Sequence, residues 1–220
     1  LNESRMHIAN LHAENIQKQL DIEQFQTQLN EVKLEVLRSQ MNPHFLFNSL
    51  NSISALVVSK PQEARKMVQQ LSDFLRGTLK KEDQLVTLKE ELEHLKLYLD
   101  IEKVRFGHRL SVEFDTSETS LAAMLPALLL QPIVENAIKF GLYDTIGETK
   151  ITIRAVHQPD HLLIEIKNPY DRVTSSARAG TGFGLTSIQR RLHLLYARQD
   201  LLSTQKKESI FTTTLKIPTT

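Results

Sequence analysis

Apolar residues near the start of the chain recur at alternating spacings of three and four. They are Ile8, Leu11, Ile22, Phe25, Leu29, Val32 and Val36, with Asn15 and Lys18 as polar interruptions. Most other positions there are Glu, Gln, Lys or Asn. A stripe this narrow predicts a parallel coiled coil over residues 1–40, in which a polar core residue sets register at some cost in stability. A single amphipathic helix packed on its own domain is the alternative, and it usually carries a wider apolar face. Pro43 interrupts the stripe, so the helix kinks there or restarts with Pro43 in its first turn, then runs to about Val58. Lys60-Pro61 marks a turn. Residues 61–80 then place Ala64, Met67, Val68, Leu71, Phe74, Leu75 and Leu79 on one helical face. Two helices joined this tightly predict an antiparallel hairpin, which would bury its remaining stripe by dimerising into a four-helix bundle. A third helix is expected over residues 88–105, with Thr87 as N-cap and Glu90 completing a capping box.

From about Leu110 the pattern changes. Residues 110–114 alternate as a strand does, residues 126–140 read as a helix ending at Gly141, and residues 185–196 as another. Residues 150–156, 162–167 and 210–217 alternate or are rich in β-branched side chains, which predicts strands. The expected fold class is therefore α+β: an N-terminal coiled coil and helical hairpin, then an α/β sandwich with helices on one face of a mixed sheet. The boundary falls near residues 108–120, dividing the chain into 1–40, 41–108 and 109–220. Residues 169–184 read as a flexible stretch.

Composition narrows the possibilities. At 220 residues the chain holds one or two domains with a substantial core. A formal net charge of +1 gives no electrostatic footprint for nucleic acid or a membrane surface. The absence of cysteine removes a disulfide scaffold, a thiolate zinc site and a cysteine nucleophile together, and fits a reducing, cytoplasmic setting. The absence of tryptophan weakens any stacking platform for single-stranded nucleic acid. No apolar run approaches the roughly eighteen residues of a membrane span. Leu1 opens inside an ongoing helical pattern, so the chain reads as part of a longer protein.

Three segments carry candidate chemistry. SQMNPHFLFNSLNSI places His44 directly after an Asn-Pro break, with Asn48 one helical turn on, so the two share a helix face. Taken alone, His44 is either filler on a helix with Phe45, Leu46, Leu50 and Ile53 or a reactive imidazole. QPIVENAIKFG sets Glu135, Asn136 and Lys139 on a helix bounded by Pro132 and Gly141. An amide oxygen suits Mg²⁺ and a lysine one turn on suits phosphate, although a polar helix face is more often merely solvated. AGTGFGL, with Gly180, Gly182, Gly184 and Leu185, opens the helix TSIQRRL, whose free amides would cradle phosphate. It matches neither a Rossmann fingerprint nor a Walker A loop.

Taken together, these segments resemble the sensor histidine kinases of the LytS-like subfamily, from about residue 35 to the end. QMNPHFLFNSLNSI is similar to that family's phosphoacceptor segment, LYLDIEKVRFGHRL to its connecting helix, LLLQPIVENAIKFG to its N box and GTGFGLTSIQRRL to its glycine-rich box. The resemblance implies a GHKL-type ATP-binding domain and autophosphorylation of His44 by ATP, with transfer to an aspartate of a response-regulator receiver domain. It implies Mg²⁺ held by Asn136 and nucleotide contacts from Glu135, Lys139, Asn168, Gly180, Gly182, Gly184 and Leu185. Asn48 would orient a water for dephosphorylating the partner. It further implies a homodimer, no direct nucleic-acid contact, and a cytoplasmic piece of an inner-membrane sensor anchored through upstream segments. Pro43 would then act as a hinge between the coiled coil and the nucleophile.

The sequence departs from that pattern in two places. The wider superfamily places an Asp-Gly pair where this chain reads IEIKNPYD, so Asn168 and Pro169 replace them. Phe140 stands where LytS-like proteins often have His. Asn168 keeps open a non-catalytic dimeric scaffold or pseudokinase. A gyrase- or chaperone-like ATPase is disfavoured, because the position of its catalytic glutamate is occupied by Pro132, which cannot activate water.

Overall fold

The computed structural model describes residues 12, 14–19, 43–80, 84–142, 147–170 and 183–219. Two compact units are present, Leu1–Asn48 and Ser49–Thr220. In the first unit residues 14–19 are helical. Most of the expected coiled coil, residues 1–40, lies outside the described residues. Helix α1 (Pro43–Ser59) begins with Pro43 as its first residue. There the missing N–H costs nothing and the ring fixes a helical φ.

In the second unit helix α2 (Pro61–Lys80) packs on helix α3 (Leu88–Phe106). Ala64, Met67, Leu71 and Phe74 are buried, as the apolar stripe requires. Val68 and Leu79 from the same predicted stripe are half exposed. Gly77 is needed where it stands. A Cβ there would lie 2.8 Å from Nδ1 of buried His94, which stacks on Phe74 at 4.9 Å between ring centroids. The start of α3 carries the expected capping box: Thr87 N donates to Glu90 Oε2 at 2.9 Å and Glu90 N to Thr87 Oγ1 at 3.2 Å. Gly107, at φ 57°, ends the helix, its N–H donating to the Lys103 carbonyl. A single 3₁₀ turn (Gly107–Arg109) then leads into the sheet.

Five strands form that sheet in the order β2-β4-β5-β7-β6. They are β2 (Leu110–Thr116), β4 (Thr149–His157), β5 (His161–Pro169), β6 (Leu202–Lys207) and β7 (Ile210–Pro218). The β2–β4 pair is parallel and every other pair antiparallel. Alternation sets the faces. Ile151, Ile153 and Ala155 of β4, Leu162, Ile164 and Ile166 of β5, and Leu215 and Ile217 of β7 are buried. Helices α5 (Gln131–Leu142) and α6 (Phe183–Tyr196) supply Ile133, Val134, Ala137, Ile138, Ile188 and Leu192 to the same core. Each such aliphatic side chain stabilises the fold by about 1.5–3 kcal/mol relative to exposure. Opposite this core, Lys150–Glu113 (2.6 Å) and Arg154–Asp115 (3.3 Å) link β4 to β2. These pairs are largely solvated and contribute little.

One expected helix is shorter than the sequence suggests. Residues 124–126 form strand β3 (Met124–Pro126), which pairs with β1 (Leu85–Thr87) in a separate two-stranded ribbon. Helix α5 starts only at Gln131 and runs on to Leu142. The physical reason lies on α3: buried Glu91 takes the N–H groups of Leu128 and Leu130, at 2.8 and 2.9 Å, holding the backbone out of a helix. Leu128 sits there at φ 58°. The short helix α4 (Glu118–Leu121) and the edge strand β6 also went unanticipated. Among the described residues no helix is long and apolar enough to cross a membrane.

Candidate functional site

The first unit contributes an exposed imidazole. His44 lies in the first turn of α1 and Asn48 one turn on, as i,i+4 spacing requires. The Asn48 amide nitrogen donates to His44 Nδ1 at 3.0 Å. With Nδ1 accepting, the ring proton sits on Nε2. Turned by 180°, the same amide would offer its oxygen to an Nδ1 proton and place the ring lone pair on Nε2.

The second unit brings two of the three sequence motifs together. α5 carries Asn136 half-buried at mid-helix, and α6 brings Gly184 against it. A Cβ on Gly184 would stand 2.8 Å from Asn136 Nδ2. Only glycine allows this approach, so Gly184 and Asn136 share one surface. Lys139 follows Asn136 by one turn, exposed, with its ammonium 5.5 Å from the Phe140 ring centroid. Leu185 is half-buried beside Gly184, and Gly180 and Gly182 lie outside the described residues. At the end of α5, Gly141 is required as well: a Cβ there would meet Thr149 Cγ2 at 2.6 Å, and Thr149 Oγ1 donates to the Gly141 carbonyl at 2.7 Å.

Asn168 sits near the end of β5 on the core side of the sheet, 4 % exposed and paired with Phe211 of β7. Its amide nitrogen donates to the Pro169 carbonyl at 2.9 Å. That bond uses one of the two N–H donors of the amide.

The carboxylates beside Asn136 have a different environment. Glu135 accepts from Gln131 Nε2 at 2.8 Å. Glu102, on α3, is 5 % exposed, and its Oε2 has no hydrogen-bond partner. Burial pushes its pKa from 4.5 up to about 7; Arg105 offsets part of the rise, and Glu135 adds to it. Among the described residues no group of three or more His, Cys, Asp or Glu side chains could hold a metal ion.

Comparison with known proteins decides the family. The histidine kinase family model matches residues 32–110, a span that includes His44. The chain is 40 % identical over 167 residues to sensor histidine kinase BtsS of Escherichia coli K12, covering 74 % of this chain and 29 % of that protein. It belongs to the histidine kinase family. Sensor histidine kinase YpdA of the same strain is 35 % identical over 193 residues, 82 % of this chain and 34 % of YpdA. Sensor protein LytS of Staphylococcus saprophyticus is 31 % identical over 211 residues, 89 % of this chain and 36 % of LytS. The chain spans about a third of the length of these curated relatives.

Three residues of the second unit that lie outside the candidate site are not among the sequence candidates: Glu91, Glu102 and Arg191. A signal existed for the two acids. They fall on the buried stripe of α3 with Leu88, Leu95, Tyr98 and Leu99, where a solvated acid has no place. Arg191 carries no comparable mark. Its Nη1 reaches the Ala127 carbonyl at 2.7 Å, a partner far away in sequence.

Proposed function

We propose that this chain is the kinase core of a two-component sensor, with ATP-dependent autophosphorylation of His44 followed by transfer to an aspartate of a response regulator. The observation that carries the reading is the packing of Gly184 on Asn136, within a chain of the histidine kinase family. Phosphates would lie at the glycine-rich N-terminus of α6, where first-turn amides and the helix dipole favour anions. Asn136 would supply one hard oxygen to Mg²⁺, and Lys139 a positive charge to the phosphates. The donor set fits this use, because Mg²⁺ is commonly held by few protein oxygens plus phosphate and water. When bound, the ion would neutralise charge on the phosphates. The Asn168 oxygen would accept from an amino group on the base. In the transfer, a lone pair of the His44 ring forms a bond to the γ-phosphorus, the bond to the β–γ bridging oxygen breaks, and ADP leaves. Asn48 would hold the ring tautomer, and would orient water in any dephosphorylation of the partner.

On this reading residues 1–40 form the signal-input coiled coil, 41–108 the phosphoacceptor hairpin and 109–220 the nucleotide-binding domain. Val57, Val58, Val68 and Leu79 are exposed apolar residues of the hairpin, which supports homodimerisation through α1 and α2. A non-catalytic scaffold is the second reading, favoured by the neutral Asn168 at the base-binding position. Incubation with γ-labelled ATP and Mg²⁺ separates the two. Acid-labile label present in the wild type and absent from His44→Ala is the expected result. Nucleotide binding without label in the wild type would overturn the kinase reading and leave the scaffold.

A further inference from the structure

Residues 127–130, which launch α5, are gripped from two directions. From α3, both oxygens of Glu91, a side chain only 1 % exposed, accept the N–H groups of Leu128 and Leu130. From α6, Arg191 donates to the Ala127 carbonyl. Leu130 in turn accepts from Ile133 N and Val134 N, both at 3.1 Å, so its position sets the first turn of α5. Leu128 holds a left-handed φ of 58°, which a leucine adopts only when its surroundings impose it. Arg191 lies two helical turns beyond Gly184, on the same side of α6. α5 and its launching turn are therefore held by α6 at two points, Asn136 against Gly184 and the turn against Arg191, while α3 holds the turn from behind.

We propose that Glu91 and Arg191 are positioning residues that couple occupation of the site at Asn136 and Gly184, through the turn at 127–130, to helix α3. The inference rests on the nucleotide-binding reading given above. A ligand that fixes the head of α6 fixes the rigid helix behind it, and with it the guanidinium on Ala127. The turn answers as a unit, because its strained backbone is defined by the hydrogen bonds at its two ends. Glu91 passes that restraint to α3, the helix that packs on α2. The grip is on main-chain groups and charge-assisted on both sides, so it transmits position independently of the turn's side chains.

Amide hydrogen exchange with and without Mg·ADP tests the coupling. In the wild type, Mg·ADP is expected to slow exchange at Leu128, Leu130 and the amides of α3 by about tenfold, the scale of a typical coupling between sites. Arg191→Gln should still bind Mg·ADP by calorimetry but lose the slowing at the turn and at α3. Arg191→Lys, which keeps a cationic donor, should restore part of it. Glu91→Gln should keep the nucleotide response at the turn and lose it at α3. Either glutamine variant responding as the wild type does would overturn the proposal, as would a wild type that binds Mg·ADP without any change at α3. A wild type that binds no Mg·ADP would instead overturn the nucleotide-binding reading beneath it. Circular dichroism confirms that each variant is folded. If Arg191→Gln is not, Glu91→Gln and Arg191→Lys carry the test.

Discussion

Replacing Glu102 with glutamine removes a carboxylate that the fold has to bury. The side chain is buried on α3, its Oε2 lacks a partner, and its pKa rises from 4.5 to about 7. Burial is the main cause; Arg105 opposes the rise and Glu135 reinforces it. A raised acid pKa means that the folded chain holds this proton more tightly than the unfolded chain does. The associated stability is fully present below about pH 4.5 and is lost as pH rises through about 7. At full ionisation the loss is about 3 kcal/mol, from ~1.4 kcal/mol per pH unit. Between about pH 5.5 and 8 the wild type should therefore lose about 2 kcal/mol relative to Glu102→Gln, which keeps the shape and has no charge to bury. Urea denaturation of both proteins at the two pH values reads this directly, because every other titrating group is shared and cancels in the difference. A stability gap that stays constant across that range would refute the reasoning.

Three further substitutions probe close contacts. Gly184→Ala drives a methyl into Asn136 Nδ2 and should weaken binding of a fluorescent ATP analogue by roughly tenfold, a cost of about 1.4 kcal/mol, with the melting temperature little changed. Unaltered affinity would show that the two helices do not need this approach. Gly77→Ala presses on buried His94 and should cost about 1–3 kcal/mol in chemical denaturation, with no direct effect on nucleotide affinity. Asn168→Asp restores the acid common in the wider superfamily but sets a carboxylate oxygen against the Pro169 carbonyl. It should destabilise the chain by about 1–3 kcal/mol, and tighter ADP binding at undiminished stability would contradict that account.

Much of the fold could be read from the sequence because its determinants are local. The Thr87–Glu90 box depends on residues three apart, and the His44–Asn48 pair on one helical turn. Alternation in β4, β5 and β7 follows from one buried and one less buried face. The elements that escaped notice lack such local signals. β6 is an edge strand whose side chains after Leu202 are exposed, so LSTQKK has no alternation to betray it. Strand β3 and the late start of α5 depend on Glu91, some forty residues earlier in the chain, and apolar residues 127–130 extend a helical pattern into a segment that is not helical. The same distinction holds at the site. The glycines and Asn136 were visible as motif residues, whereas their contact needed the tertiary packing of α5 on α6.

The carboxylate of Glu91 grips the turn it shapes through the peptide N–H groups of Leu128 and Leu130. Every residue except proline offers the same N–H, so the half-buried position 128 can vary in side chain without redirecting the path of the chain, whereas Leu130 is also held by its burial in the core. Much of the information that shapes the turn is thus stored outside it, on two other helices. In a library of variants position 128 should tolerate varied side chains so long as Glu91 is kept, and a change at Glu91 should not be rescued by any side chain placed there.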